Sequence, residues 1–236
     1  MSAHYFVSDV HLGMGTPLAE MRFGDFLLSI KGRAKGLYVL GDLFEFWFEY
    51  RRVVPKIGFE ILARMRDLAE SGTKIFLFRG NHDIWFKGWL EHGLKVEGVF
   101  DEQEMVIDGL RVYLAHGDAL DRGFVPRLFR SLMRSPINGF LFSCLHPDIG
   151  ISLARRIAIR SRRGMEERGA AQKVQAAMVE FAREKIAGGY DVVMLGHSHI
   201  PEMSRIGSGV YINTGDWMKS FTYGMIREGK ATLEYF

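Results

Sequence analysis

Five segments of this chain follow one pattern: a short apolar or β-branched run stops at Gly or Asp and is followed at once by Asp, His or Asn. They are "HYFVSD" (4–9), "GLYVLGD" (36–42), "TKIFLFRGN" (73–81), the closing arm of "EMVIDGLRVYLAHGD" (104–118) and "DVVMLGH" (191–197). Runs of this length bounded by turn residues read as strands. In open α/β sheets the carboxyl ends of the strands share one edge, where ligands bind. Five separate loops then deliver Asp9 and His11, Asp42, the trio Asn81-His82-Asp83, His116 and Asp118, and the pair His197 and His199 to one region. Taken singly, each loop is explained by a turn, a helix cap or a polar connection. Five such loops, each at the end of its own strand, call for a common cause.

The connections fit the same architecture. Ile57, Ile61, Met65 and Leu68 recur at helical spacing between the second and third strands, with Pro55 before them and Gly72 after. Residues 104–118 form a hairpin turning at Asp108-Gly109. A helix over about 170–187 leads into the strand 191–197, and "GVYINTGDW" and "TYGMIREGKATLEYF" close the chain as strands. Helix–strand alternation early and hairpins late predict a layered α/β domain with mixed sheets. At 236 residues and 47% hydrophobic, the chain can bury one sizeable core.

Two exclusions follow from composition. The single cysteine, Cys144, forbids an internal disulfide and any cysteine-rich zinc site, and it fits a reducing compartment. Neither a secretory leader nor an apolar run near the ~20 residues needed to span a bilayer is visible, so a cytoplasmic protein is expected. The net charge of +3 hides an asymmetry. From Arg122 to Arg163 there are nine arginines and one acid, Asp148, so this block carries +8 and the remainder −5. An anionic partner is expected to meet the block. Phe124, Val125, Leu128, Phe129, Leu132 and Met133 fall on one helical stripe within it, with Arg127, Arg130 and Arg134 elsewhere.

Carboxylate, imidazole and amide oxygen together suit manganese, iron or zinc. A two-metal hydrolytic site, with ions roughly 3.5–4 Å apart, needs a bridging carboxylate and further N and O donors on each ion.

The ordered set "DVH", "GDLFE", "GNHD", "HGD", "GHSH" resembles the calcineurin-like metallophosphoesterase superfamily over positions 9–199. The resemblance implies an α/β four-layer sandwich, two mixed β-sheets flanked by helices. It also implies two divalent metal ions, Mn2+ foremost with Zn2+ or Fe2+ as alternatives. Asp9, His11, Asp42 and His199 would hold the first metal. Asp42, Asn81, His116 and His197 would hold the second, so the alternate imidazoles of "HSH" serve different ions. His82 would act on a phosphoryl oxygen or leaving group without binding metal, with Asp83 orienting it.

A narrower likeness, carried by "GDLFEFWFEY", "GNHD" and the basic insertion after "HGD", is to the UDP-2,3-diacylglucosamine diphosphatases of lipid A biosynthesis. That family cleaves the pyrophosphate of a nucleotide-linked diacyl sugar to UMP and the diacylglucosamine 1-phosphate. The likeness implies one domain over 1–236 with a helical cap inserted at about 119–168. Phe124–Leu153 would supply the acyl pocket, while Arg155, Arg156, Arg160, Arg162 and Arg163 would face anionic headgroups or substrate phosphate. Asn81, Asp121, Arg122, Arg160 and Ser161 are the expected substrate contacts. The expected protein is a monomer, peripheral at the inner membrane through an anionic lipid surface, with no nucleic-acid partner. It departs from the best-known branch, which has Arg where His82 stands and paired aspartates where this chain has only Asp121. The alternative reading is a metallophosphodiesterase of another nucleotide or of nucleic acid. A phosphoprotein phosphatase, or a scaffold without catalysis, explains the apolar stripe and the full donor set less well.

Overall fold

A computed structural model describes residues 2–14, 16–121, 124–166 and 170–236, with side chains left aside over 125–127, 158–160 and 161–166 and at Phe124, Phe129, Arg155 and Ala170. Strands β1 (Ala3–Val7), β2 (Ala34–Leu40), β3 (Lys74–Phe78) and β4 (Gly98–Phe100) run parallel in one sheet. The hairpin β10 (Thr222–Arg227) and β11 (Lys230–Tyr235) extends that sheet antiparallel from β1. The second sheet contains β5 (Glu102–Ile107), β6 (Leu110–Ala115), β7 (Val192–Leu195), β8 (Glu202–Ile206) and β9 (Gly209–Asn213), in spatial order β5-β6-β7-β9-β8. Within it β6, β7 and β9 are parallel, while β5 and β8 pair antiparallel at the edges.

Strand alternation builds the layers, because successive side chains point to opposite faces. Phe6, Tyr38, Leu40 and Phe78 meet Val112, Leu114, Val192, Met194 and Ile212 between the sheets. Their neighbours Tyr5, Val7, Leu37, Val39, Ile75 and Leu77 face outward under helices α1 (Pro17–Ile30), α2 (Phe59–Glu70) and α3 (Trp89–Leu94). On the far sheet, Tyr113, Val193 and Leu195 pack under α7 (Ala170–Ala187). The result is helix, sheet, sheet, helix, the four-layer sandwich expected. The anticipated helices over 57–72 and 170–187 and the Asp108-Gly109 hairpin are all present.

Helices α4 (Phe124–Met133), α5 (Pro136–Ser143) and α6 (Pro147–Glu166) lie between β6 and α7 in sequence. They dock through a small aromatic cluster in which Phe142 packs on Phe46, Phe48 and Trp85. Gly150 of α6 lets Tyr50 approach, since a Cβ there would sit 2.6 Å from the Tyr50 hydroxyl. Among the described residues, no helix is long and apolar enough to cross a membrane.

Trp217 ties the metal-side edge to this core. Its backbone N–H donates to the Asp9 carbonyl, and its indole lies between Phe23 and Phe26. The indole N–H is buried and has no acceptor among the described residues. Trp217→Ala should therefore cost about 3–5 kcal/mol in urea unfolding. Trp217→Phe should cost much less, because it also removes an unsatisfied buried donor worth about 1–3 kcal/mol.

Candidate metal centre and active site

The carboxyl ends of β1, β2, β3, β6 and β7 open onto one edge, and each chain turns sharply there. Asp9, His11, Asp42, His197 and His199 all have positive φ, between 50° and 67°. Non-glycine residues occupy this region at a cost and do so where surroundings over-determine them. Those surroundings are visible. The His197 N–H donates to Asp9 Oδ2 at 2.9 Å, and the His82 N–H donates to Asp42 Oδ1 at 2.9 Å. Gly80 is required beside the latter: a Cβ there would coincide with Asp42 Oδ1.

Three groups of donors come within 4.8 Å of one another: Asp9 with His11 and His199, Asp42 with His116 and His197, and His11 with Asp42 and His82. Asp42 belongs to two of them and is almost fully buried. The expected ligands Asp9, His11, Asp42, His116, His197 and His199 are thus brought together. Asn81 joins them through Oδ1, 3.2 Å from His116 Nε2.

The imidazole tautomers decide whether this set fits a cation. His116 Nδ1 lies 2.8 Å from the Leu40 carbonyl, which only accepts, so Nδ1 carries the proton. Nε2 then faces Asn81 Oδ1 at 3.2 Å and Asp42 Oδ2 at 3.4 Å, donating to them when protonated and free to coordinate a cation once that proton leaves. His11 Nδ1 lies 2.9 Å from Glu45 Oε2, which turns Nε2 toward Asp9 Oδ1 and Asp42 Oδ2, each at 3.8 Å. Asp9 Oδ1 is buried without a hydrogen bond, although His199 Nε2 stands 3.2 Å from it. Carboxylate, amide and imidazole groups thus converge at close range, partly hydrogen-bonded to one another. Donor sets of this kind fit divalent cations.

Electrostatics agrees. Burial pushes the Asp42 carboxyl up, but His116, then His82, outweigh it and hold it far below the usual range. Burial likewise opposes Asp9, and His199 and His11 win. Burial pulls the His11 imidazole down, yet Asp9 and Glu45 raise it to about 9. His116 is raised well above its ordinary value by Asp42 against the same burial. The carboxylates attract positive charge strongly enough to protonate buried rings, and cations satisfy the same demand while releasing those protons.

Three placements bear on the roles expected from the sequence. Asp83 does not orient His82. It is fully buried and accepts backbone N–H groups from Asp42, Leu43, Phe44 and Gly80, clamping two loops together. Burial, followed by the Asp42 charge, raises it to about 7 against those donors. The group beside His82 is Glu45, whose carbonyl takes the His82 Nδ1 proton at 3.0 Å. His82 itself lies within ligand range of His11 and Asp42, nearer the cluster than expected. Two arginines of the basic block make ion pairs within the fold. Arg134 reaches Asp101 at 2.6 Å and Asp118 at 3.4 Å, with Arg130 3.9 Å from Asp118. The Asp118 pairs hold the C-terminal end of α4 against the loop after β6, and the Asp101 pair ties it to the β4–β5 connection. Asp121, expected at substrate, lies 3.1 Å from His197 Nε2. Arg122 lies outside the described residues, as do the side chains of Arg160 and Ser161.

The sequence reading also missed residues that support the ligands. Glu45 stands in the quoted "GDLFE", three residues after Asp42, and was given no role. Asn213 donates to the Gly196 carbonyl at 2.8 Å and to Ser198 Oγ at 3.0 Å, bracing the turn between the two imidazoles. Ser198 in turn donates to Gln175 of α7 at 2.5 Å. Asp216 caps the loop beside His199 through the N–H groups of Met218, Lys219 and Ser220. A polar residue inside a strand or helix pattern was the available signal for Asn213 and Gln175.

Fold and site together define a hydrolase whose buried donor set fits divalent metal ions. The chain shares its fold with an archaeal phosphodiesterase of known structure, at TM-score 0.52 and 14% identity over 99% of each chain. No family model matches the sequence. It is 31% identical to a UDP-2,3-diacylglucosamine hydrolase of Porphyromonas gingivalis over 94% of this chain and 92% of that one. A protein of the same name from Pseudomonas savastanoi is also 31% identical, over 89% of this chain and 86% of that one. The chain belongs to the UDP-2,3-diacylglucosamine hydrolase family.

If Glu45 fixes the His11 ring, Glu45→Ala should weaken metal affinity about 10–100-fold at the site nearest His11. Titration calorimetry on metal-stripped protein checks this, with the second binding event less affected.

Proposed function

We propose that this chain hydrolyses the pyrophosphate bond of UDP-2,3-diacylglucosamine, giving UMP and 2,3-diacylglucosamine 1-phosphate. The observation that carries the reading is the donor cluster centred on Asp42, set in a chain whose relatives bear that substrate's name. Asp9, His11, Asp42 and His199 would hold one divalent ion, and Asp42, Asn81, His116 and His197 a second, with manganese the expected metal. Bound as a pair, the ions would supply Lewis-acid stabilisation of charge building on the phosphoryl group.

The protein's own residues do the rest. His82 Nδ1 donates to the Glu45 carbonyl at 3.0 Å, and the side chain is 17% exposed. When doubly protonated it donates from Nε2 to a phosphoryl oxygen or to the departing phosphate, the role assigned to it here. Asp83 contributes by holding the Asp42 and Gly80 loops in register, which makes it a positioning residue. Asp121, next to His197, stands at the rim where the sugar phosphate would enter.

The helices α4–α6 support a substrate with greasy parts. Leu128, Leu132, Ile137, Phe140, Ile149 and Leu153 are each about half exposed or more, and Met133 and Phe142 reach the aromatic cluster. At roughly 0.8 kcal/mol per buried methylene, two acyl chains on such a surface would supply much of the binding. Exposed Arg156 of α6, in an arginine-rich stretch of sequence, suits attachment to an anionic inner-membrane surface. The reading takes the chain as a cytoplasmic monomer and requires no nucleic acid.

Product analysis tests the proposal. Manganese-loaded protein should release UMP from UDP-2,3-diacylglucosamine far faster than from the unacylated nucleotide sugar. Leu128→Asp or Leu132→Asp should slow the acylated substrate at least tenfold and spare a small chromogenic phosphodiester. Equal rates on acylated and unacylated substrates would leave a phosphodiesterase of another nucleotide.

A further inference from the structure

The segment "FWFEYRRVVP" is only partly absorbed by the site above. Phe46 and Phe48 serve the aromatic cluster, but the polar remainder lines a separate concavity of about 550 Å³ between residues 49–54, Lys87, Trp89 and Ser143 of α5. None of its lining residues belongs to the donor groups around Asp42. Its volume falls within the range of small-ligand sites.

The charge in this cavity is unbalanced. Glu49 is the one acid in the lining, and its carboxylate is consumed by four donors. Lys87 N and Trp89 N bond Oε2, while Leu90 N and the Trp47 indole bond Oε1. Lys87 Nζ lies 4.3 Å from the centre of the Phe48 ring rather than on an acid. Arg51 and Arg52 sit at the tip of a loop closed by the Tyr50 N–H to the Val53 carbonyl at 3.1 Å. Both are exposed, and among the described residues neither meets an acidic side chain. Three cations thus surround one concavity against a single, already satisfied carboxylate. A guanidinium fork takes a phosphate bidentately, and two of them stand in this lining. Trp89, 45% exposed, offers a ring at the rim.

We propose that this cavity is a second anion site, separate from the metal centre, that takes the phosphate of a phosphate ester. Two sources share that chemistry: a soluble phosphorylated molecule and an anionic phospholipid headgroup. The site stands independently of the substrate proposed above.

Calorimetric titration of the manganese-loaded protein with inorganic phosphate compares wild type with Arg51→Gln/Arg52→Gln. Phosphate bound at the metal centre is common to both and cancels. The cavity event should weaken at least tenfold in the Gln variant, with metal content unchanged. Arg51→Lys/Arg52→Lys should fall between, retaining charge without the forks. Cosedimentation with phosphatidylglycerol vesicles separates the sources. Weakened phosphate binding with vesicle binding intact assigns a soluble ester, and loss of both assigns a headgroup. Phosphate isotherms identical in wild type and the Gln variant overturn the site.

Discussion

Asp42 is an almost fully buried carboxylate placed one residue beyond Gly41, at the end of β2, in a conformation that L-residues avoid. Such a group is tolerable only if its charge is answered nearby, because an unpaired buried carboxylate is among the costliest things a fold can contain. The fold answers it from several directions: the rings of His11 and His116 and the His82 N–H converge on its two oxygens. Asp83 fixes the loop from behind by collecting four backbone N–H groups. Gly80 exists so that the third strand's loop can approach. The sandwich itself serves this convergence, since parallel strands from two sheets bring their carboxyl ends to one edge.

The same logic separates two kinds of charged residue in the basic block. Arg130 and Arg134 meet Asp118 and Asp101 and belong to the framework, anchoring the end of α4 to the loop that carries His116 and to the β4–β5 connection. Arg156 lies exposed further along α6. A net charge counted along the sequence merges the two. The apolar residues of these helices divide likewise, with Phe142 turned into the aromatic cluster while Phe140 and Ile137 face outward.

Much of the fold was legible because its strands obey period two and end in glycine or aspartate, and the hairpin at Asp108-Gly109 carries the turn chemistry that hairpins require. Helix α1 escaped notice although Thr16 caps it through Ala19 N and Pro17 opens it. Its apolar positions are interleaved with exposed Leu18, Met21 and Leu28, which blurs the helical period. The donor residues were legible as a set because each follows its own strand. What supports them was not. The partner of His82 is a carbonyl, the bonds of Asp83 go to backbone, and Gln175 meets Ser198 across 23 residues of chain. Contacts of that kind depend on how loops lie in space, which residue types alone do not encode.

Anomalous diffraction from crystals of manganese-reconstituted protein, measured at the manganese edge, tests the central claim directly. The account predicts two peaks that share Asp42, one among Asp9, His11 and His199 and the other among Asn81, His116 and His197. His82 should contact neither. A single peak, two peaks without Asp42 between them, or His82 bound directly to metal would contradict it.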